Sequence, residues 1–539
     1  MTGSDPYQEG AGQYLGQVIG GSLAEGLAVK LDPAVSPETV KVGVLVTVVG
    51  ESHRYIGVVT NIELKATDPT LPIIVDRASS LLAQATRGSM AYAVMTLRPS
   101  VALPLVAGQG ASVQPARSIP GHFSPVHLAT PAEVASVFGN EDANHFWVGN
   151  PLDLDSKVCL NLPLLAMRSN GVFGKTGSGK SYLTRILLAG IIQKGTAGIL
   201  VFDMHNDYGW QAKSEEGTTV KGLKQLFPSK VALFTMDEEW TRRRGTASDH
   251  VVHIPRHHIT PEDIALLRET LNLTDAQVEA VFALQEHLGK GWLDAFCAQR
   301  ANQGEWKALR EAVAASAATF DALWRHLKAL QRYPFLTSKD DADSVDAILH
   351  TLARGMTVVL EFGRYREDPT AYVLVANFLT RRIHEYYVEQ TERAFVDRAK
   401  EPVPLVIVIE EAHRFLAPSL ARQTTFGRIA RELRKYNVTL LVVDQRPSQI
   451  DPEVRSQLGT RLVCKLDDER DLDAVVEGTH GGRELKAVLA SMEEKQQALI
   501  FGHAVPVPVL VRVRPYGTAF YEAVAPVSAP AYTGDDPFG

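Results

Sequence analysis

The sequence predicts an α/β protein in which helices cover a parallel sheet, with a small β-barrel ahead of the sheet and a helical subdomain inserted into it. Three observations lead there. From about residue 145, short apolar runs alternate with helical stretches. Before that point, β-branched runs are separated only by turn residues. Between about 256 and 350, the strand pattern gives way to helical periodicity.

At 539 residues the chain exceeds what one hydrophobic core serves, so several domains are expected. Residues 1–11 read as a flexible, polar start and 12–140 as a β-barrel followed by a junction. In that stretch "GQVIGG", "VGVLVTVVG", "YIGVVTNIEL", "MAYAVMTLRP" and "LPLVAG" are the strands, with "TPAEVASVF" a short helix in the junction. Residues 141–255 and 351–515 form the two parts of the α/β core. Its strands are "GVFG", "GILVFD", "KVALF", "TVVLEF", "LVIVIEE", "TLLVVD" and "RLVCKL". Apolar runs of this kind, each followed by a helix, mark a parallel sheet buried on both faces.

The inserted segment, 256–350, opens with Thr260-Pro261-Glu262-Asp263: an N-cap, a proline at the first helical position and an acidic first turn. Phe320, Leu323, Trp324, Leu327 and Leu330 then share one helical face. Residues 516–539 are rich in Pro and Ala and are expected to lie extended.

Composition narrows the function classes. With 45% hydrophobic and 22% charged residues, global disorder is excluded. No window approaches 18 uninterrupted apolar residues, so no membrane span is expected. Met1–Tyr14 lacks the basic start and apolar centre of a secretion signal. Cys159, Cys297 and Cys464 match no disulfide or metal spacing, which fits a reducing cytoplasm. The net charge of −7 argues against a positively coated protein. It leaves nucleic acid open as a partner, because a ring can confine its basic groups to a central channel.

Gly174-Lys175-Thr176-Gly177-Ser178-Gly179-Lys180-Ser181 matches the phosphate-loop pattern G-x-x-x-x-G-K-[ST] in full. It follows an apolar strand and opens a helix, so its backbone N–H groups and the helix dipole face bound phosphates. Lys180 is expected on the β- and γ-phosphates and Ser181 on Mg²⁺. Tyr182, the next residue, completes the nucleotide-binding set.

Hydrolysis also needs carboxylates, and "PLVIVIEEAHRFL" ends a buried strand in Glu410-Glu411. Glu410 is assigned to the Mg²⁺ shell and Glu411 to activation of the attacking water. "LLVVDQRPSQI" puts Gln445 at another strand end, as a γ-phosphate sensor or a turn residue.

"FGRIARELRKYNV" places Arg428, Arg431 and Arg434 or Lys435 on one helical face. That face is either simply solvated or carries an arginine finger for a neighbouring subunit's site, Arg434 first and Arg431 second. "VFDMHNDYGW" offers Asp203, His205 and Asp207 as contacts to water or metal, or as a hydrogen-bonded turn. His250, His253, His257 and His258 fit a strand end and helix cap better than a metal site, and Arg168 is a further candidate for a nucleotide contact.

Taken in order, "FGKTGSGKSY", "LVFDMHNDY", "VIEEAHRFL", "IARELRKYNV" and "VVDQRPSQI" resemble HerA, a DNA translocase family of the HerA/FtsK superfamily. The likeness spans roughly 12–515. Two departures stand out: Leu433 precedes Arg434-Lys435 where the family commonly has Gly, and Asn206-Asp207 replaces Gly-Glu/Asp.

The resemblance implies a RecA-like ATPase core using ATP and Mg²⁺, a HAS-barrel at the N-terminus, and a homohexamer threading double-stranded DNA. It also implies a partner docked on the barrel: a NurA-like nuclease in DNA end resection and repair, or another effector in defence against phage. In that second case the ring would act as an NTP-gated scaffold.

Overall fold

The computed structural model describes residues 12–67, 90–105, 113–213, 219–338, 344–397, 401–421, 424–479 and 481–525. The first 11 residues and most of the tail therefore lie outside the described residues. Seven N-terminal strands come first: β1 (Tyr14–Ser22), β2 (Gly26–Leu31), β3 (Leu45–Val49), β4 (His53–Ala66), β5 (Ala91–Pro104), β6 (Gln114–Pro115) and β7 (Pro125–Leu128). They pair in the order β2-β1-β7-β3-β4-β5-β6, and a further β2–β5 pairing closes a barrel.

Val18, Leu27, Val29, Val46, Val48, Val59, Met95, Leu97 and Val126 fill the barrel interior. Breaks in register at Val18/Gly20, Ile56/Gly57 and Val59/Asn61 let the strands coil enough to close. Two expected strands, "MAYAVMTLRP" and the start of "LPLVAG", are one continuous strand, β5. The helix Pro131–Phe138 follows, with Thr130 and Glu133 forming a reciprocal capping box.

The core strands are β8 (His145–Pro151), β9 (Val158–Asn161), β10 (Asn170–Phe173) and β11 (Gly198–Asp203). A small hairpin, β12 (Gln211–Lys213) and β13 (Thr219–Lys221), precedes β14 (Val231–Thr235) and β15 (His250–Val251). A short parallel pair, β16 (Ile254–Pro255) and β17 (Leu336–Thr337), brackets most of the insertion. Then come β18 (Thr357–Glu361), β19 (Leu405–Glu410), β20 (Val438–Asp444), β21 (Thr460–Val463), β22 (Gln497–Gly502) and β23 (Val509–Val513). The main sheet runs β15-β14-β18-β11-β19-β20-β10-β21-β22-β23-β8-β9.

From β15 to β21 every pairing is parallel, but from β21 to β9 every pairing is antiparallel. The sheet is therefore mixed where a parallel one was expected. β8–β9 and β22–β23 are joined by connections too short for a crossover helix, so each pair must fold back as a hairpin. Along β11, Leu200 and Phe202 enter one hydrophobic cluster while Ile199 and Val201 enter the other, so both faces are buried.

The insertion is mostly helical, including Asp275–Leu288, Trp292–Gln299 and Ala317–Leu330. Phe320, Leu323, Leu327 and Leu330 are buried on one face, and Trp324 packs at its margin. These side chains share a single cluster with Phe202, Phe234 and Leu360 of the sheet, so the insertion extends the core rather than building its own. Buried Asp263 ties it down, accepting from Arg381 at 2.7 Å and from Asn377 at 3.3 Å. Both partners sit on the long helix Pro369–Asp397.

The expectation of an extended tail from 516 is corrected: Thr518–Val524 is a helix. Phe520 and Val524, one turn apart, bury against Phe146 and the helix Lys180–Lys194, and that burial selects the helical conformation. The helix Gly482–Ala490 packs against β4, and Glu484 pairs with Arg98 of the barrel at 3.3 Å.

Candidate functional site: a phosphate loop facing a row of strand-end carboxylates

Four adjacent strands end in an acidic residue: β18 in Glu361, β11 in Asp203, β19 in Glu410 and β20 in Asp444. The next strand, β10, ends at Phe173 and releases the phosphate loop. All five ends lie on the same edge because the strands are parallel. Side chains 200 or more residues apart are thereby brought into contact.

The loop's shape follows from its glycines. Gly177 and Gly179 have φ of +82° and +92°, open to glycine at no steric cost. A Cβ on Gly174 would stand 2.6 Å from Ser178 Oγ and 2.8 Å from Cys464 Cβ, so the loop closes only with glycine there. Gly174 N–H donates to Asp444 O and Lys175 N–H to Lys465 O, anchoring the loop to both flanking strands. Lys180 and Ser181 then open a helix whose Leu183, Ile186, Leu187 and Ile191 are fully enclosed. Burial pulls the Lys180 ammonium below its ordinary range, while Glu410, Glu411 and Asp444 attract it.

Gln445 connects the loop to the acidic strand. Thr176 Oγ donates to Gln445 Oε1 at 2.6 Å, and Gln445 Nε2 donates to Glu411 Oε1 at 2.9 Å. The orientation is forced, since a carboxylate only accepts and the amide must turn its NH₂ toward it. Glu411 is held in the left-handed region at φ +49°, a conformation costing on the order of 1–2 kcal/mol for a residue with a side chain. That backbone turn lifts the carboxylate off the strand toward Gln445.

Below it, Asp444 accepts from His413 N–H at 2.7 Å and from His413 Nδ1 at 3.0 Å. This contact holds His413 above its ordinary value. Burial pushes Asp444 upward, but its bonds to His413 and the Arg446 amide outweigh that and hold it low. The turn after Gln445 is clamped in turn: Arg455 donates to Ile450 O at 2.6 Å, and Asp471 accepts from Ser448 N–H at 3.0 Å.

Glu410 is enclosed. Its Oε1 accepts from Tyr208 OH at 2.8 Å, while its Oε2 is buried with no hydrogen-bond partner among the described residues. Burial raises its carboxyl, opposed by His205, Tyr208 and Lys180. An enclosed carboxylate oxygen with no partner among the described residues, on a side chain that feels the attraction of Lys180, suits a hard cation or its water. Tyr208 was not among the candidates, because its partner lies 202 residues away in sequence.

The remaining candidates separate. Asp203 accepts from the amides of Asp207, Tyr208 and Gly209, so of its two readings the structure supplies the hydrogen-bonded turn. His205 is exposed beside Glu410. Arg431 donates to Ala421 O within its own chain, and Arg428 is exposed; the Arg434 side chain lies outside the described residues. Arg168 precedes β10 and so stands at the strand end opposite the phosphate loop, which removes it from this site. His250 stacks on Phe234 at 4.6 Å, and His257 and His258 form a short 3₁₀ turn.

A phosphate loop, a helix dipole, a half-buried lysine and a carboxylate joined to the loop through an amide define a P-loop nucleoside triphosphatase. Residues 146–383 match the family model for the central domain of helicase HerA. The chain is 25% identical over 386 residues to the DNA double-strand break repair helicase HerA of Pyrococcus furiosus, covering 66% of this chain and 67% of that protein. Against the HerA of Saccharolobus solfataricus it is 23% identical over 402 residues, covering 72% of each. It also aligns with VirB4 of Thermoanaerobacter pseudethanolicus at 14% identity and a TM-score of 0.45, over 70% of this chain and 98% of that one. The chain is an ATPase whose central region is similar to that of the HerA helicases.

Proposed function

We propose that the protein is an ATP-driven double-stranded DNA translocase that works as a homohexameric ring with a partner nuclease of the NurA kind in DNA end processing. The hydrogen-bonded line Thr176–Gln445–Glu411 carries the hydrolytic part of this reading. In this reading the Gln445 amide, bonded to both the phosphate loop and the carboxylate assigned to activate water, acts as the sensor. Removing the γ-phosphate would break contacts at one end of that line and release the other.

In this reading Glu411 takes the proton of the attacking water, and Lys180 with the loop amides neutralises phosphate charge. Glu410 and Ser181 would hold Mg²⁺, which when bound screens the triphosphate oxygens. Arg434, with Arg431 in reserve, would complete the neighbouring subunit's site. The names of the relatives support the DNA part, because HerA of Pyrococcus furiosus and of Saccharolobus solfataricus are named as double-strand break repair helicases. Among the described residues no helix is long and apolar enough to cross a membrane.

Steady-state ATPase rates with and without duplex DNA, at low and rising salt, test the proposal. DNA is expected to raise the rate, and salt to remove the effect steeply because phosphate contacts release counterions. A rate indifferent to DNA at low salt would overturn the motor reading.

A further inference from the structure

Tyr208 is fully buried, and both sides of its backbone are fixed. Its N–H donates to Asp203 Oδ2 at 2.7 Å and its carbonyl accepts from Leu223 N–H at 2.8 Å. Arg185 lies 5.7 Å from the ring centroid and grips the preceding carbonyl, Asp207 O, through Nε and Nη2 at 3.2 and 3.0 Å. In this fully enclosed position the hydroxyl donates to Glu410 Oε1 at 2.8 Å. The glutamate main chain is held separately, by Tyr372 OH donating to Glu410 O at 3.1 Å.

A glutamate has one more rotatable bond than an aspartate, so fixing its carboxylate plane lowers the ordering cost of holding a metal. Here the fixed oxygen is Oε1, and the oxygen left without a partner among the described residues, Oε2, is also enclosed.

We infer that Tyr208 is a positioning residue for the nucleotide's divalent cation: it locks the Glu410 carboxylate so that Oε2 is presented to the metal or its water. This rests on the assignment of Glu410 above. Hydrogen-bonded partners behind metal ligands typically change metal affinity 10- to 100-fold when removed.

The test uses the full chain with ADP bound. Mn²⁺ affinity is measured from the electron paramagnetic resonance signal of free Mn²⁺, and metal-free ADP affinity from a fluorescent ADP analogue. Tyr208→Phe, which keeps the ring, is expected to weaken Mn²⁺ binding about 10- to 100-fold and to leave metal-free ADP affinity within about twofold. Tyr372→Phe removes an equally buried hydroxyl from the same glutamate's main chain and should leave Mn²⁺ affinity unchanged. Glu410→Gln should weaken Mn²⁺ at least as much as Tyr208→Phe, and the double variant should be no worse than Glu410→Gln alone.

If Glu410→Gln weakens Mn²⁺ but Tyr208→Phe does not, Tyr208 is a packing residue and the inference is overturned. If neither does, the Glu410 assignment falls and takes the inference with it. Loss of a cooperative melting transition in Tyr208→Phe also overturns it, since a positioning role leaves the fold intact.

Discussion

Glu361 offers a sharp test of how the row of strand-end carboxylates is built. It is 2% exposed, and burial pushes its carboxyl up to about 7 from an ordinary 4.5, against the attraction of Arg244. Its Oε2 has no hydrogen-bond partner among the described residues. Between those two pH values the folded protein holds a proton that the unfolded chain has released. The favourable contribution is therefore complete below about 4.5 and is lost as pH rises through about 7.

At 1.36 kcal/mol per pH unit, the shift corresponds to roughly 3 kcal/mol of stability lost by pH 8. Glu361→Gln never ionises and escapes that loss. It also removes a like charge from Asp203, which faces Glu361 across the β11–β18 pairing. Urea unfolding of both proteins from pH 5 to 8.5 should show the variant gaining on the parent by about 3 kcal/mol as pH rises. In melting temperature this is about 4 °C for a cooperative unit of several hundred residues. A difference between the two proteins that stays constant with pH would refute the reasoning.

Gln445→Ala cuts both bonds of the line between Thr176 and Glu411, and should lower kcat about 10- to 100-fold while the KM for ATP moves by less than about threefold. Steady-state kinetics separates the two, and an unchanged kcat would remove Gln445 from the site. The His413–Asp444 contact should show in melting temperature against pH. The contribution of His413, held above the ordinary 6.5, is complete below that value and is lost as pH rises through its raised one. That of Asp444, held below 3.8, is lost only as pH falls through its lowered value. His413→Asn should cost about 1 kcal/mol at pH 6 and flatten the melting profile between pH 6 and 8.

What the sequence revealed follows what is local. Each apolar run ending in an acid, such as "GILVFD" or "LVIVIE", carries its own evidence of a buried parallel strand, and the phosphate loop fixes its own turn. Partners far apart in sequence leave no such trace. Nothing near Tyr208 points to Glu410, and the antiparallel half of the sheet depends on β23 meeting β8 across the whole core. β2 and β7 are not among the strands read from the sequence, and each is completed by a partner far off in the chain, β2 by β5 and β7 by β3. Thr518–Val524 reads as a loose tail until Phe520 finds Phe146. The two readings of Asp203 needed the backbone amides it accepts from, which only the turn at Asn206, with φ +57°, brings around it.

The proposed hydrolysis requires Glu411 to be the group that activates water. Single-turnover hydrolysis of bound ATP by Glu411→Gln tests it, with nucleotide binding measured on the same sample. The amide keeps the size of the side chain but cannot accept a proton, so hydrolysis should fall by about 10² to 10⁴-fold with ATP affinity retained. Hydrolysis within a few-fold of the parent protein, with ATP bound equally well, would show that another group activates the water.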